Sequence, residues 1–184
     1  MIAPDPRAAI AVTILNTDPG GFADRVELAN ASYGQAQVLV TPIQMALVAA
    51  AVANDGTIMR PRVVTAVVAP DGTVSERPAE IWLRPFGPDV ARPIRDAMTL
   101  AVEGRYGRLF TSGAKVPGVL TAGKSGTAEI GGSGEPHSWF IGFAPADHPT
   151  IAIAVVVENG GSGALRASPI AGKLLQAYFA QVPR

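Results

Sequence analysis

The sequence contains no cysteine and only two histidines, His137 and His148, among its 184 residues. The absence of cysteine excludes disulfide bonds and thiolate nucleophiles, and with so few histidines a zinc site is not expected. Basic and acidic residues are equal in number, 15 of each, so the net charge is zero. There is therefore no electrostatic reason to expect a nucleic acid or an anionic membrane surface as a partner.

Long apolar runs are missing as well. No stretch approaches the ~20 apolar residues that a membrane-spanning helix needs. The Met1 end also lacks the basic and apolar regions typical of a signal peptide. What is present is a globular composition, 48% hydrophobic and 16% charged, in a chain long enough for one domain with a real core. The residue counts indicate neither a cofactor nor a metal ion.

The order of the predicted elements indicates an α+β fold, with an antiparallel sheet packed by helices. One helix is predicted to follow Thr41, because Thr41 suits an N-cap, Pro42 the first helical position and Gln44 a capping box. This helix is apolar on nearly every face as far as Ala53, which predicts burial all round. The other early predictions are an irregular segment over 29–40, a hairpin of 62–69 with 73–77, a helix from about 89 or 93 to 102, and a loop over 105–117.

Three consecutive strands are predicted in the second half, over 119–130, 137–144 and 151–158. The third is apolar throughout, which predicts burial on both faces. A closing helix is predicted to be capped by Ser168-Pro169. Its predicted buried face consists of Ile170, Leu174, Ala177 and Tyr178.

The stretch from Gly118 to Ser125 matches the phosphate-loop pattern Gly-x-x-x-x-Gly-Lys-Ser letter for letter. A phosphate loop requires a strand before its first glycine and a helix that begins at the lysine. Here Pro117 precedes Gly118, and Gly126 and a later glycine cluster oppose a helix. A nucleotide-binding protein is therefore the weakest of the hypotheses.

The alternative interpretation places the same residues on an edge strand. Alternation along a strand puts Ser125 and Thr127 on one face and Lys124 with Gly126 on the other. Two hydroxyls can hydrogen-bond a carboxylate, Lys124 adds positive charge, and Gly126 lets a substrate backbone come close. The N–H that follows Gly126 is suited to stabilising an oxyanion. Taken alone, these four residues also fit an ordinary edge strand with a solvated lysine.

Six segments of the chain form an ordered set of short motifs. They are Tyr33-Gly34-Gln35, Val40-Thr41-Pro42-Ile43-Gln44-Met45-Ala46, Ala53-Asn54-Asp55-Gly56, Gly123-Lys124-Ser125-Gly126-Thr127-Ala128-Glu129, Trp139-Phe140-Ile141-Gly142-Phe143-Ala144-Pro145 and Ala167-Ser168-Pro169-Ile170. In this order they resemble the second half of the transpeptidase domain of class B penicillin-binding proteins. The chain departs slightly from the family where it has Ala36 instead of a glycine after Gln35. Ser125 stands where threonine is also common.

The resemblance implies the C-terminal half of the penicillin-recognising, β-lactamase/transpeptidase-like fold, with residues 1–184 forming a partial domain. It implies acyl transfer, in which a serine attacks the D-Ala-D-Ala bond of a peptidoglycan stem peptide and β-lactams acylate the same serine. The family works at the extracytoplasmic face of the bacterial cell membrane. Our hypothesis is that Lys124, Ser125, Gly126 and Thr127 bind the substrate. In it, Lys124 and Thr127 are catalytic, and the Thr127 N–H contributes to an oxyanion hole.

Of the family's Ser-x-x-Lys, Ser-x-Asn and Lys-Thr-Gly motifs, only the last type has a convincing counterpart. Ser112-Gly113-Ala114-Lys115 fits Ser-x-x-Lys in letters. We reject it, because Gly113 and Pro117 predict a loop and not the buried helix that presents such a nucleophile. We therefore expect the nucleophile to lie outside this chain and the chain alone to form no penicillin adduct. The other hypothesis is a non-catalytic binding remnant, packed on a protein partner through an unpaired sheet edge.

Several nearby residues have simpler interpretations. Trp139 and Phe140 are predicted to pack in the core or on a neighbouring strand. His137 is predicted to be a hydrogen-bonded or surface histidine, and Glu129 a solvated charge at a strand end. Gln44 is predicted to cap its helix and not to join a site.

Overall fold

The computed structural model describes residues 21–104 and 111–181. The helices are α1 (Arg25–Ala31), α2 (Pro42–Ala53), α3 (Pro88–Glu103) and α4 (Ala167–Gln181). The strands are β1 (Ile58–Met59), β2 (Ala66–Val68), β3 (Val74–Glu76), β4 (Ile81–Leu83), β5 (Ala122–Ala128), β6 (His137–Ala144) and β7 (Ile151–Val157). Within the described ranges, we find no helix with both the length and the apolar character needed to span a membrane.

The main sheet has the order β5-β6-β7, and both pairings are antiparallel. The three predicted strands are therefore confirmed; β6 has the predicted bounds, while β5 and β7 are shorter. Together with the helices they form the predicted α+β arrangement. Two small antiparallel pairs, β1 with β4 and β2 with β3, stand apart from this sheet.

Helices cover both faces of the main sheet. On one face, Phe143 packs with Ala49 and Val52 of α2 and Met98 of α3. On the other face, the fully buried Phe140 packs with residues of α4. Because side chains alternate along β6, these two phenylalanines point to opposite cores. The burial of Phe140 confirms its predicted core role.

Helix α2 begins as predicted. Thr41 Oγ1 accepts from the Gln44 N–H, and Gln44 Oε1 accepts from the Thr41 N–H at 2.7 Å, which completes the capping box. The prediction that α2 is buried all round was wrong, because Ile43 and Val48 are exposed. The helix lies along one face of the sheet, and only the side that contacts the sheet is buried.

Two further burial predictions were wrong. Ile170 and Leu174 of α4 are 40% and 51% exposed, while the buried side of that helix is built mainly from small residues. These are Ala167, Ser168, Ala171, Gly172 and Leu175. Strand β7 is mostly half-buried, because it lies at an edge of the sheet. Ser168 lies inside α4, which begins at Ala167.

The remaining elements combine confirmed and missed predictions. The hairpin of β2 and β3 forms around the predicted turn, where the Asp71 carboxylate accepts from the Thr73 N–H at 2.9 Å. That hydrogen bond lowers the pKa of Asp71. Helix α1, which Asp24 caps, and the β1–β4 pair were not predicted. In the predicted loop over 105–117, Ser112–Ala114 forms a short 3₁₀ helix, and residues 105–110 lie outside the described ranges.

Helix α3 is joined to the end of α2 through one arginine. Arg95 donates to the carbonyls of Val52 and Ala53 at 3.2 and 3.1 Å, and to the Asp55 carboxylate at 2.7 Å. These carbonyls end α2 and have no partner within the helix. The Arg95 side chain therefore fixes the position of α2 relative to α3 on their common face of the sheet.

Candidate functional site

Strand β5 is an edge strand of the main sheet, as predicted. It pairs with β6 along one side, and no other strand of residues 21–104 and 111–181 pairs with its outer side. Successive residues of a strand direct their backbone groups to alternate sides. The Thr127 carbonyl points outward, since it accepts a bond from the distant Gln35 side chain. The backbone groups of Ser125, Thr127 and Glu129 therefore face the outer edge.

Lys124 is exposed at the centre of this edge. Its ammonium donates to the carbonyl of Ser125, its own neighbour. The side chain thus bends toward the outer edge and carries its positive charge beside the backbone groups that face outward. This placement gives the edge a fixed cation next to outward-facing hydrogen-bonding groups.

Ser125 and Thr127 lie on the opposite face of the strand from Lys124, in the predicted alternation. Their cross-strand partners are Phe140 and Ser138, on the α4 side of the sheet. A bound anion can therefore reach the ammonium and the hydroxyls together only at the outer edge, where the two faces meet. Ser125 is half-buried, and Thr127 is exposed.

The loop between β7 and α4 packs tightly against this face. Thr127 Oγ1 accepts from the Gly163 N–H at 3.3 Å. The buried Ser138 hydroxyl donates to the Ser162 carbonyl and accepts from the Ala167 N–H, both at 3.0 Å. Gly163 lies so close to β5 that a Cβ on it would come 2.2 Å from the Gly126 carbonyl oxygen. The loop thus packs against the face of β5 that carries the Thr127 hydroxyl and holds the strand in place.

Gln35 contacts β5 from the outer side. Its Nε2 donates to the Thr127 carbonyl at 3.0 Å, and its Oε1 accepts from the Glu129 N–H at 3.1 Å. From the sequence, Gln35 was only part of a family resemblance, and no role was predicted for it. A contact across more than 90 positions leaves no local pattern, so only the motif itself could have signalled it.

Neither rejected motif has the geometry that its chemistry requires. Residues 123–128 are a strand and not the start of a helix, so the phosphate-loop interpretation was correctly rejected. Ser112 begins a single 3₁₀ turn, and the Lys115 ammonium is held by the Glu103 carboxylate at 3.3 Å. The ammonium of that lysine is therefore paired with an acid, and the single turn is not the buried helix that presents such a nucleophile.

Neighbouring residues have structural roles. His137 Nδ1 accepts from the Asn159 N–H at 3.0 Å, as expected for a hydrogen-bonded histidine. Trp139 is half-buried opposite Gly126, and Glu129 is exposed. In the described ranges, no group of three or more acidic or histidine side chains is placed to hold a metal ion.

The chain is similar to known proteins over most of its length. The sequence pattern of the penicillin binding protein transpeptidase domain matches residues 9–176. The peptidoglycan D,D-transpeptidase PbpA of Mycolicibacterium smegmatis is 38% identical over 174 residues, which cover 90% of this chain and 34% of that protein. The chain thus spans about a third of the length of this curated relative.

Solved structures show the same similarity in three dimensions. The crystal structure of penicillin-binding protein A from Mycobacterium tuberculosis superposes with a TM-score of 0.75 at 35% identity, covering 85% of this chain and 38% of that chain. The penicillin G acyl-enzyme complex of the same protein gives a TM-score of 0.70 at 36% identity, with 85% and 36% covered.

Proposed function

The chain belongs to the family of penicillin-binding protein transpeptidase domains, and on that premise we propose that it supplies one wall of a peptidoglycan D,D-transpeptidase active site. The observation that carries the proposal is the outer edge of β5. There, the Lys124 ammonium lies on one face and the hydroxyls of Ser125 and Thr127 on the other, with the outward backbone groups between them. An extended peptide can add to such an edge as a further strand.

We propose that the terminal carboxylate of a D-Ala-D-Ala stem peptide lies at the Lys124–Ser125 end of this edge. A cation and hydroxyl donors together favour a carboxylate, because charge-assisted hydrogen bonds are the stronger ones. Gly126 carries no side chain, so the peptide backbone can approach the strand closely. A β-lactam, which carries a comparable carboxylate, would lie at the same place.

We propose that Thr127 acts through its backbone as well as its hydroxyl. Its N–H shares the outward direction of its carbonyl and so points to the outer side of β5. There it would stabilise the negative oxygen that forms when the scissile carbonyl is attacked. Support from Gly163 and Gln35 on either side of the strand keeps this N–H in a fixed direction.

The attacking serine is proposed to come from outside these 184 residues. Ser112 and Lys115 do not form a nucleophile pair, and Ser-x-x-Lys does not occur elsewhere in the sequence. This chain would then form one part of the active site, and another segment of the domain would supply the attacking serine. In keeping with a role in the cell wall, we place this site on the extracytoplasmic side of the membrane.

The test is the Lys124→Ala substitution in the complete protein that carries this chain. We expect the rate of acylation by a fluorescent penicillin to fall at least 100-fold. The reason is that the penicillin carboxylate loses the cation that holds it in the geometry needed for acyl transfer. Each tenfold change in rate corresponds to about 1.4 kcal/mol. Acylation is measured as labelled protein against time after denaturing electrophoresis.

Lys173→Ala is the matched control, since Lys173 is an exposed lysine of α4. Its acylation rate should equal that of the unaltered protein. An unchanged rate in Lys124→Ala would refute the proposed role of the lysine.

A further inference from the structure

The Gln35 carboxamide occupies backbone groups of β5 that an added strand would otherwise use. One donor and one acceptor of the same side chain bond to Thr127 C=O and Glu129 N–H, at 3.0 and 3.1 Å. These are two outward groups of an edge strand, separated by one residue. A single side chain therefore takes one backbone group from each of two residues with which a further strand would pair.

The turn after α1 holds this carboxamide in place. The Gln35 N–H donates to the Asn30 carbonyl at 3.0 Å, and the Gln35 carbonyl accepts from the Val38 N–H at 3.3 Å. The residues on either side, Gly34 and Ala36, have φ values of +90° and +56°. The backbone is thus folded tightly around Gln35, and the side chain is half-buried.

The proposed function fixes the direction in which a stem peptide runs along β5. With its carboxylate at Lys124 and Ser125 and its scissile carbonyl at the Thr127 N–H, the rest of the peptide continues toward Glu129. In an antiparallel pairing the next complete rung beyond Thr127 uses the backbone of Glu129. The Glu129 N–H, however, already donates to Gln35.

We propose that Gln35 is a specificity-determining residue that ends the pairing edge at Thr127; this inference rests on the proposed function. The Thr127 carbonyl keeps a second lone pair for a ligand N–H, whereas the Glu129 N–H has a single hydrogen to donate. The main chain of β5 then forms hydrogen bonds only with the terminal D-Ala-D-Ala dipeptide of the stem. Residues further upstream in the stem gain no pairing with β5.

The experiment compares two peptides on the complete protein that carries this chain. They are acetyl-D-Ala-D-Ala and acetyl-L-Ala-L-Ala-D-Ala-D-Ala, and the release of D-alanine gives kcat/KM for each. In the unaltered protein, the ratio of long to short should lie within about two-fold of one. In Gln35→Ala, the ratio should rise about five-fold, which is the usual effect of one additional hydrogen bond.

Two further variants separate this effect from a general disturbance of the turn. Gln35→Glu keeps an oxygen that can accept from the Glu129 N–H but puts a second acceptor in place of the donor to the Thr127 carbonyl, so its ratio should lie between those of the unaltered protein and Gln35→Ala. Gln37→Ala alters the same turn, and the Gln37 Nε2 donates to Glu27 of α1 at 2.8 Å. Its ratio should stay at that of the unaltered protein.

Labelling by a fluorescent penicillin distinguishes failure of this inference from failure of the proposed function. If the unaltered protein is not labelled, the proposed function fails. If it is labelled and Gln35→Ala leaves the ratio unchanged, the role of Gln35 is refuted. Should Gln35→Ala not fold, the unaltered protein alone still tests the inference. A ratio of long to short peptide well above two would show that the peptide pairs with β5 beyond Thr127, and the role of Gln35 would be refuted.

Discussion

The Thr127 hydroxyl accepts a hydrogen bond from the Gly163 N–H at 3.3 Å, and this contact joins the edge strand of the site to the loop before the last helix. Gly163 approaches the backbone of Gly126 on the face of β5 that carries the Thr127 hydroxyl, and a Cβ on Gly163 would come 2.2 Å from the Gly126 oxygen. The two backbones can lie this close because Gly163 has no side chain. Thr127 is held through its side chain, while its N–H stays directed at the outer side of β5.

Gly163→Ala should disturb β5 without altering any of the proposed site residues. The added Cβ would lie 2.2 Å from the Gly126 oxygen and 2.5 Å from the Trp139 oxygen, both of them backbone atoms. The loop must then move away, at a cost of about 1–3 kcal/mol in the free energy of unfolding, as is usual for overpacking. We expect a lower midpoint in urea and slower acylation by penicillin in the complete protein.

Gly134→Ala is the matched control for this substitution. Its Cβ would meet mainly the end of the exposed Ile130 side chain, at 2.8 Å, and a flexible side chain can turn aside. The urea midpoint and the acylation rate should stay close to those of the unaltered protein. Equal losses in both variants would show that the tight approach of Gly163 has no special effect.

Arg95→Ala should destabilise the fold. Arg95 is 20% exposed and supplies charged hydrogen bonds to the last carbonyls of α2 and to Asp55. Hydrogen bonds to charged groups contribute about 1.5–3 kcal/mol, so we expect a loss of roughly 2 kcal/mol in the free energy of unfolding. Urea denaturation followed by circular dichroism gives this value.

Arg92 offers a matched comparison for Arg95. Its Nε lies 3.8 Å from the same Asp55 carboxylate, but the side chain is 67% exposed. Exposed ion pairs contribute about 0–1 kcal/mol, so Arg92→Ala should cost less than half as much as Arg95→Ala. Similar losses for the two variants would contradict the idea that Arg95 links the helices.

The 184-residue chain, prepared by itself, should form no covalent adduct with a fluorescent penicillin. The reason is that Ser112 lacks the lysine arrangement of a nucleophile, since Lys115 is bound to Glu103. The complete protein, treated in parallel, is the positive control. A labelled band from the isolated chain after denaturing electrophoresis would show that it contains its own nucleophile.

The elements of this fold with strong local signals were predictable from the sequence. The capping box of Thr41 and Gln44 marked the start of α2 within one residue. Strand β6 was bounded by turn residues on both sides, so its limits were predicted as found. These signals are predictable because the interactions behind them join neighbours in the chain.

Burial was harder to predict, because it depends on partners that are distant in sequence. The larger apolar residues of α4 were expected to face the core, but Ile170 and Leu174 are exposed. The helix instead packs through small residues, and Gly172 lies so close that a Cβ would come 2.3 Å from the Gly113 carbonyl oxygen. A size-based pattern cannot predict a contact that depends on small side chains.

In the candidate site, too, local features were predictable from the sequence and long-range contacts were not. The alternation of Lys124 with Ser125 and Thr127 followed from strand geometry alone, and the roles of these side chains remain proposals. The contacts of Gln35 and Gly163 with β5 were not predicted. Both join segments far apart in the chain, and neither residue type signals such a contact.

Because the Thr127 N–H belongs to the main chain, no substitution can delete it except one to proline. A substitution other than proline that weakens the contact proposed for this N–H would then have to act indirectly, by changing the direction of β5. Gln35 contacts β5 on its outer side, and Gly163 contacts it on the face that carries the Thr127 hydroxyl. Substitution at either position would alter the response to an inhibitor, even though neither residue is proposed to touch inhibitor or substrate.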